Sequence, residues 1–423
     1  MGGMLTITDD TRAFVVAHAD DDVRDLALHA PRDGDVDVPF ALDQIAGRRK
    51  ARTKLPQWAA CDGIVYPPHL AMEQCSSQFT ARYKTDLAAR LLTERTAAGT
   101  AGADTSLVDL TGGFGVDFSY MARVFDRATY VERQEDLCEL AEHNMAALGL
   151  DHVEIVHGDS VGYLDSLAAD SVSMAFVDPA RRDAHGARTY AIADCTPDVL
   201  ALKDRLLAVA PIVMVKLSPM LDWRRAVEEF RGAVREVHIV ATGNECKDLL
   251  LVLARERTDA PRVFAVNDGQ HIDFVHGVHS DMRGEAAERT DANAQADANA
   301  GDAPLWLYEP NAAVMKAGCF GLLSRRWPVD QIAPNSHLFL GRGERAEGFP
   351  GRAFAVEAVS TMNKRELRAA LAGLAQANVA VRNFPLSVAQ LRRRLGLRDG
   401  GDAYLFATTS ARGEHLLYVT RRA

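Results

Sequence analysis

From residue 106 to 255, short apolar runs alternate with segments of helical period, and few architectures accept that pattern. Strands are expected at 107–110, 128–131, 153–156, 172–177, 212–217, 237–241 and 249–253. Helices fit between the first six of these, at 116–125, 135–148, 162–167, 197–209 and 223–232. Such alternation implies right-handed crossovers and a mostly parallel, doubly wound α/β sheet. The sixth and seventh strands are separated only by TGNECKD, too short for a helical crossover, so the seventh must run antiparallel beside the sixth.

The first strand runs straight into a glycine-rich turn, LVDLTGGFGVD. Gly112, Gly113 and Gly115 leave a backbone almost without side chains at the carboxyl edge of the sheet, where open α/β sheets bind ligands. A dinucleotide fingerprint would need a further glycine where Phe118 stands, and a phosphate loop would need Gly-Lys-Ser/Thr. Glu132 ends the second strand 23 residues after Asp109, where a carboxylate can accept both ribose hydroxyls of a nucleoside cofactor. Asp159 and Ser160 follow the third strand, and a turn aspartate explains that pair equally well. Asp178-Pro179, in FVDPARRD, ends the fourth strand and is the sharpest catalytic candidate. Arg181 and Arg182 beside it could clamp a phosphate or carboxylate. KLSPMLD brings Lys216 and Ser218 to the same cleft, with no cysteine for covalent pyrimidine chemistry. Asn244, Glu245 and Lys247 of NECKD reach the same sheet edge.

The flanks differ in kind. Residues 1–95 read as helical, punctuated by Pro56 and Pro67-Pro68, with EQCSSQFTARYK read as a capped surface helix. The core is expected at 96–258, a small α+β module at 259–345, and a last module at 346–423. Residues 280–303 hold eight alanines and no aromatic or branched aliphatic residue, so that stretch is expected to be a disordered insertion. The six cysteines, Cys61, Cys75, Cys138, Cys195, Cys246 and Cys319, form no CxxC pair. That fits reduced thiols in the cytoplasm rather than a zinc site or disulfide framework. His271, His276 and His279 lack a carboxylate or cysteine at ligand spacing, so no metal is expected. No secretory signal or membrane span is expected. Net charge is −10, yet residues 346–423 hold 12 Lys/Arg against 6 Asp/Glu, leaving +6 there and −16 elsewhere. A basic module on an acidic body is compatible with a polyanionic partner, and equally with a solvated arginine face.

The stretches EQCSSQFTARYK, VDLTGGFGVD, DPARRD, KLSPMLD, NECKDLL, LYEPNAAVMKAG, PNSHLF and VRNFPLSVAQLRRRLGLRDGGDAYLFAT span residues 73 to about 410. On them the chain resembles a bacterial family of class I S-adenosylmethionine-dependent methyltransferases that carries a carboxyl-terminal THUMP-like domain. The resemblance implies a Rossmann-like, seven-stranded methyltransferase sheet, six strands parallel and one antiparallel, flanked by an N-terminal helical region and C-terminal α+β modules. It implies that Asp109, Gly112, Gly113, Gly115, Glu132, Asp159 and Ser160 hold S-adenosylmethionine. Asp178, Pro179 and Lys216 would then serve catalysis. Enzymes of this kind that act on exocyclic amines carry Asp/Asn-Pro-Pro-aromatic; Ala180 and Arg181 depart from that pattern. THUMP domains in general bind RNA, so an RNA base in tRNA or rRNA is the expected acceptor. The alternatives are a small-molecule or protein methyltransferase and a non-enzymatic RNA-binding protein with a vestigial cofactor site.

Overall fold

The computed structural model describes residues 8–29, 35–99, 104–181, 191–277 and 303–423. Arg182, His279 and residues 280–302 of the expected insertion lie outside them. The chain divides into two compact units, Met1–Glu236 with Asp248–Thr258, and Val237–Lys247 with Asp259–Ala423.

The first unit begins with helices α1 (Asp9–Ala17), α2 (Val23–His29), α3 (Val38–Lys54), α4 (Pro56–Ala59), α5 (His69–Gln74) and α6 (Gln78–Ala97). The run FVVAHADDDVRDLALHA, residues 14–30, reads as one helical stretch, and α1 and α2 divide it. The Asp22 carboxylate accepts the Arg24 N–H at 2.8 Å, a local bond that starts α2 and competes with helix continuation. Ser77 starts α6 in the same way, accepting the Thr80 N–H at 3.2 Å. The correction that matters concerns α6. Its polar patch is not all solvated surface, because Thr80 and Lys84 are buried with Ala81, Leu87, Ala88, Leu91 and Leu92 on one face, while Arg82, Asp86 and Thr93 stay exposed.

Strands β1 (Ser106–Asp109), β2 (Arg127–Glu132), β3 (Val153–His157), β4 (Met174–Val177) and β5 (Ile212–Leu217) are parallel neighbours in the order β5-β4-β1-β2-β3. Helices α7 (Val116–Met121), α8 (Glu135–Ala147), α9 (Ser160–Ser166), α10 (Val199–Val209) and α11 (Trp223–Glu229) connect them or follow them. Beyond come β6 (Val234–Thr242) and β7 (Glu245–Leu253), with β7 antiparallel to β5. The hairpin β8 (Arg262–Asn267) and β9 (Gln270–Val275) adds two strands, so the sheet is nine-stranded, in the order β9-β8-β6-β7-β5-β4-β1-β2-β3. The Asn-Asp-Gly turn of this hairpin lies in the second unit, and the hairpin relieves β6 of an open edge.

The amino-terminal helices and the core share one apolar cluster. Ala51, Leu55, Trp58, Ile64 and Met72 pack with Phe114, Val116, Tyr120 and Leu140, all at most 9% exposed. Side chains of that size each contribute about 1.5–3 kcal/mol on burial. The glycine turn is therefore roofed by the helical region as well as rooted in the sheet.

The second unit contains β10 (Leu305–Pro310), helices α12 (Ala312–Ala317) and α13 (Phe320–Arg326), then β11 (Asp330–Gln331) and β12 (Phe339–Arg342). Residues 311–326 read by period as one helix, and they form two because Gly318 takes a left-handed φ of 67° and caps α12. There follow β13 (Gly351–Thr361), α14 (Lys364–Ala370), β14 (Asn378–Arg382), α15 (Val388–Leu395), β15 (Ala403–Thr409) and β16 (His415–Arg422). A single seven-stranded sheet runs β11-β12-β10-β13-β16-β15-β14. Glu309, 6% exposed at its side chain, takes both the Arg352 and the Arg382 guanidinium and so ties β10, β13 and β14 together. Among the described residues no helix is long and apolar enough to cross a membrane.

Candidate active site

The parallel order β5-β4-β1-β2-β3 sets Lys216, Asp178, the glycine turn, Glu132 and Asp159 in one row along the carboxyl edge of the sheet. The row divides into a cradle on the β1–β3 side and a charged cluster on the β4–β5 side.

The cradle is built by packing. Tyr130 of β2 lies under the turn, donating its hydroxyl to the Gly113 carbonyl. Burial pushes the Tyr130 phenol far up, so it stays a donor. A Cβ on Gly112 would meet the Tyr130 ring at 2.2 Å, and one on Gly115 would meet Met145 at 2.8 Å. At Gly113, where φ is +54°, a Cβ would meet only the Thr111 carbonyl, at 3.7 Å. Two glycines thus let the turn press on its support, and the third leaves its outer side bare. Glu132 borders that side: its Oε2 accepts the Gly113 N–H at 3.1 Å, and its Oε1 accepts the Arg133 and Gln134 N–H groups, each at 3.0 Å. The bare backbone at Gly113 with a carboxylate beside it fits a nucleoside with free ribose hydroxyls. Asp159 is exposed and caps α9, its Oδ1 accepting the Val161 and Gly162 N–H groups at 3.0 and 3.1 Å. Ser160 is the first residue of that helix.

Asp109 lies behind the turn, 1% exposed. Its Oδ1 accepts the Thr111 N–H at 2.9 Å, and the Thr111 hydroxyl in turn accepts the Asp178 N–H at 2.7 Å. Burial, with the Asp117 and Asp178 carboxylates adding to it, pushes Asp109 up to about 8. It holds the turn in place and fixes the start of the Asp178-Pro179 segment through Thr111.

The charged cluster is larger than Asp178 and Lys216. Lys216 Nζ lies 2.6 Å from Asp178 Oδ2, 3.3 Å from Asp117 Oδ2 and 3.2 Å from Ser76 Oγ. Lys84, fully buried on α6, sits 3.1 Å from Asp117 Oδ1 and 2.5 Å from Asp248 Oδ2. Ser76 donates its hydroxyl to Asp117 Oδ2 at 2.7 Å. Burial works to raise the Asp117 carboxyl, but the Lys84 and Lys216 ammonium groups and Ser76 outweigh it and hold it at about 2. Burial likewise works against the charged form of Lys216, and Asp178, Asp117 and Asp248 overcome it, so that lysine stays charged far above neutrality. Asp178 is raised, by burial first and then by the Asp117 and Asp248 carboxylates, with Lys216 opposing. Its side chain is nonetheless 38% exposed, against 14% for Lys216, 10% for Asp117 and 6% for Asp248, so the cluster opens to solvent chiefly at Asp178.

Ser76, Lys84, Thr111, Asp117 and Asp248 were not among the residues expected here. Their signal was present: Lys84 occupies an apolar-stripe position between Ala81 and Ala88, and Asp117 and Asp248 stand inside GGFGVD and NECKD. Of NECKD, Asp248 enters the cluster, whereas Glu245 and Lys247 pair with each other at 2.6 Å. Pro179 is buried directly after Asp178. An open groove lined by Glu135, Glu139, Glu142 and His157 holds no residue of the charged cluster and meets the cradle only through Met145. Among the described residues no group of His, Cys, Asp and Glu could hold a metal ion.

Residues 351–422 match the model of the THUMP domain-like family, and residues 306–350 match a ferredoxin-like domain family. The whole chain is similar to the crystal structure of a candidate methyltransferase from Porphyromonas gingivalis W83, at 29% identity and a TM-score of 0.78, covering 99% of this chain and 100% of that one. An S-adenosylmethionine-dependent methyltransferase from Agrobacterium tumefaciens overlays 41% of this chain and 62% of its own, at 16% identity and a TM-score of 0.30. An O-methyltransferase from Bacillus cereus overlays 57% of this chain and 100% of its own, at 11% identity and a TM-score of 0.33. No curated protein matches the chain.

Proposed function

Taking as premise that the chain is a class I methyltransferase-fold protein with a THUMP-like carboxyl-terminal domain, we propose that it transfers a methyl group from S-adenosylmethionine to RNA. The observation that carries this reading is the row along the sheet edge: a bare glycine cradle bordered by Glu132, one strand away from the half-open Asp178–Lys216 pair. Bound there, S-adenosylmethionine supplies an electrophilic methyl on a sulfonium centre. The protein's own work is placement. Gly113 gives the cofactor's approach, Gly112 and Gly115 seat the turn on Tyr130 and Met145, and Glu132 receives the ribose hydroxyls in exchange for one of its backbone contacts. Asp159 and Ser160 border the adenine side, and Asp109 keeps the turn rigid through Thr111. Asp178 orients the acceptor and takes its proton, and Lys216 holds Asp178. Pro179 fixes the backbone that follows. Orientation of two reactants in this way is worth roughly 7–11 kcal/mol of barrier.

RNA as acceptor is supported by the +6 charge of residues 346–423 and by the exposed Arg393 and Arg394 on α15. Binding through such groups is strongly salt-dependent. Incubation with tritium-labelled S-adenosylmethionine and separate RNA, protein and metabolite fractions tests the proposal: label is expected in RNA, and label confined to the other fractions refutes it.

A further inference from the structure

Resting on that reading, we infer that the accepting atom is a hydroxyl oxygen, in RNA the ribose 2′-oxygen, with Asp178 as its proton acceptor and Lys216 as the donor that stabilises its growing negative charge. The argument is one of charge sign. An exocyclic amine delocalises its lone pair into the ring, offers two N–H donors and becomes more positive as the methyl arrives. It needs acceptors around it and no cation. Here the group within 2.6 Å of Asp178 Oδ2 is an ammonium, and a second ammonium, Lys84, stands behind it on the shared Asp117 carboxylate. Ala180, moreover, follows Asp178-Pro179 where an amine-directed site needs its second proline.

A hydroxyl suits the same groups. It has one proton to give, and Asp178 Oδ1 has no protein donor among the described residues while its side chain is 38% exposed. Its lone pairs accept, and Lys216 can exchange the 3.3 Å contact to Asp117 for that oxygen while keeping Asp178 and Ser76. The upward displacement of Asp178 makes it a stronger base than a surface carboxylate, and the strongly raised Lys216 remains a cation throughout. As the O–H proton passes to Asp178, the oxygen lone pair forms the bond to the methyl carbon of the sulfonium donor. The carbon–sulfur electron pair stays on sulfur as a neutral thioether. Asp178 then releases the proton to solvent, so an alcohol and a sulfonium give an ether, a thioether and a proton.

The test uses the full chain, tritium-labelled S-adenosylmethionine and total RNA from a strain lacking the protein, followed by alkaline hydrolysis. A 2′-O-methyl group blocks alkaline cleavage at its own phosphodiester, so label is expected in alkali-resistant dinucleotides. Lys216→Met and Asp178→Asn should each lower that label on the order of 10²–10³-fold, the usual loss for a donor aimed at a developing oxyanion. Calorimetric affinity for S-adenosylmethionine should stay within about threefold in both variants, because neither residue lies in the cradle. Label in base-methylated mononucleotides, or undiminished labelling by the variants, overturns the inference while leaving RNA methylation standing. Label only in protein or metabolites removes the reading on which it rests. Should Lys216→Met fail to fold, Asp178→Asn at its more open position still decides the matter.

Discussion

Asp109 offers a measurement of how tightly the cradle is built. Its carboxyl is pushed up to about 8 from an ordinary value of 3.8. A raised folded-state value means that its contribution to stability is fully present below 3.8 and is lost as pH rises through about 8. Each pH unit in that window is worth about 1.4 kcal/mol. Between about pH 5 and pH 7.5 the unfolded chain has lost this proton and the folded chain still largely holds it, so the native protein should lose about 3 kcal/mol from this group. Asp109→Asn keeps an Oδ1 acceptor for the Thr111 N–H and has no proton to lose. Urea unfolding followed by the fluorescence of Trp58 and Trp223, each 1% exposed in the same unit, reads both proteins across that range. The variant should gain on the native chain by about 3 kcal/mol from the acid to the alkaline end. Asp117, held at about 2, loses its contribution only below 3.8 and so does not intrude. Curves for the two proteins that stay parallel within about 0.5 kcal/mol would refute the burial argument.

Three further outcomes are expected. Lys84→Met leaves Asp117 and Asp248 buried without their shared cation and should cost about 3–5 kcal/mol in chemical unfolding; adding Asp248→Asn should recover a measurable part, and a cost below about 1 kcal/mol would contradict the pairing. Glu132→Gln should weaken calorimetric S-adenosylmethionine binding by about 10- to 100-fold, the loss of a charged acceptor, and unchanged affinity would remove Glu132 from the cofactor's reach. Reversing Arg393 and Arg394 to glutamate should weaken RNA binding and flatten its logarithmic salt dependence by about two phosphate contacts; an unaltered slope in filter binding would place the RNA elsewhere.

The periodic features of the sequence were the legible ones. Strand 212–217 stands where expected, and the remaining core strands differ from their expected ends by a few residues. The period of a buried strand is local, and TGNECKD fixed the direction of β7 by length alone. The cradle was legible as a motif, but the division of labour among its glycines was not, because Gly112 needs the Tyr130 ring beneath it and only the fold brings them together. The charged cluster was half legible. Asp178 and Lys216 stand at strand ends, where a ligand site is looked for. Ser76 and Lys84 lie 140 and 132 residues before Lys216. A helix read by period alone gives no reason to bury a lysine until two carboxylates meet it. α6 was misread for that reason: Thr80 and Lys84 looked like part of a solvent face and are buried, Lys84 against Asp117 and Asp248.

Glu309 has a practical consequence. The two family matches meet between residues 350 and 351, but β10 and β13, on either side of that join, are hydrogen-bonded neighbours in one sheet. A fragment beginning at Gly351 would keep its helices and its apolar cluster yet carry a long strand with one naked edge, inviting other chains to pair with it. It would also strand Arg352 and Arg382, whose common counter-charge stays with the discarded piece. RNA binding assigned to such a fragment would therefore be measured on a surface with two newly released positive charges beside an adhesive edge. The smallest honest probe of the carboxyl-terminal module starts before Leu305.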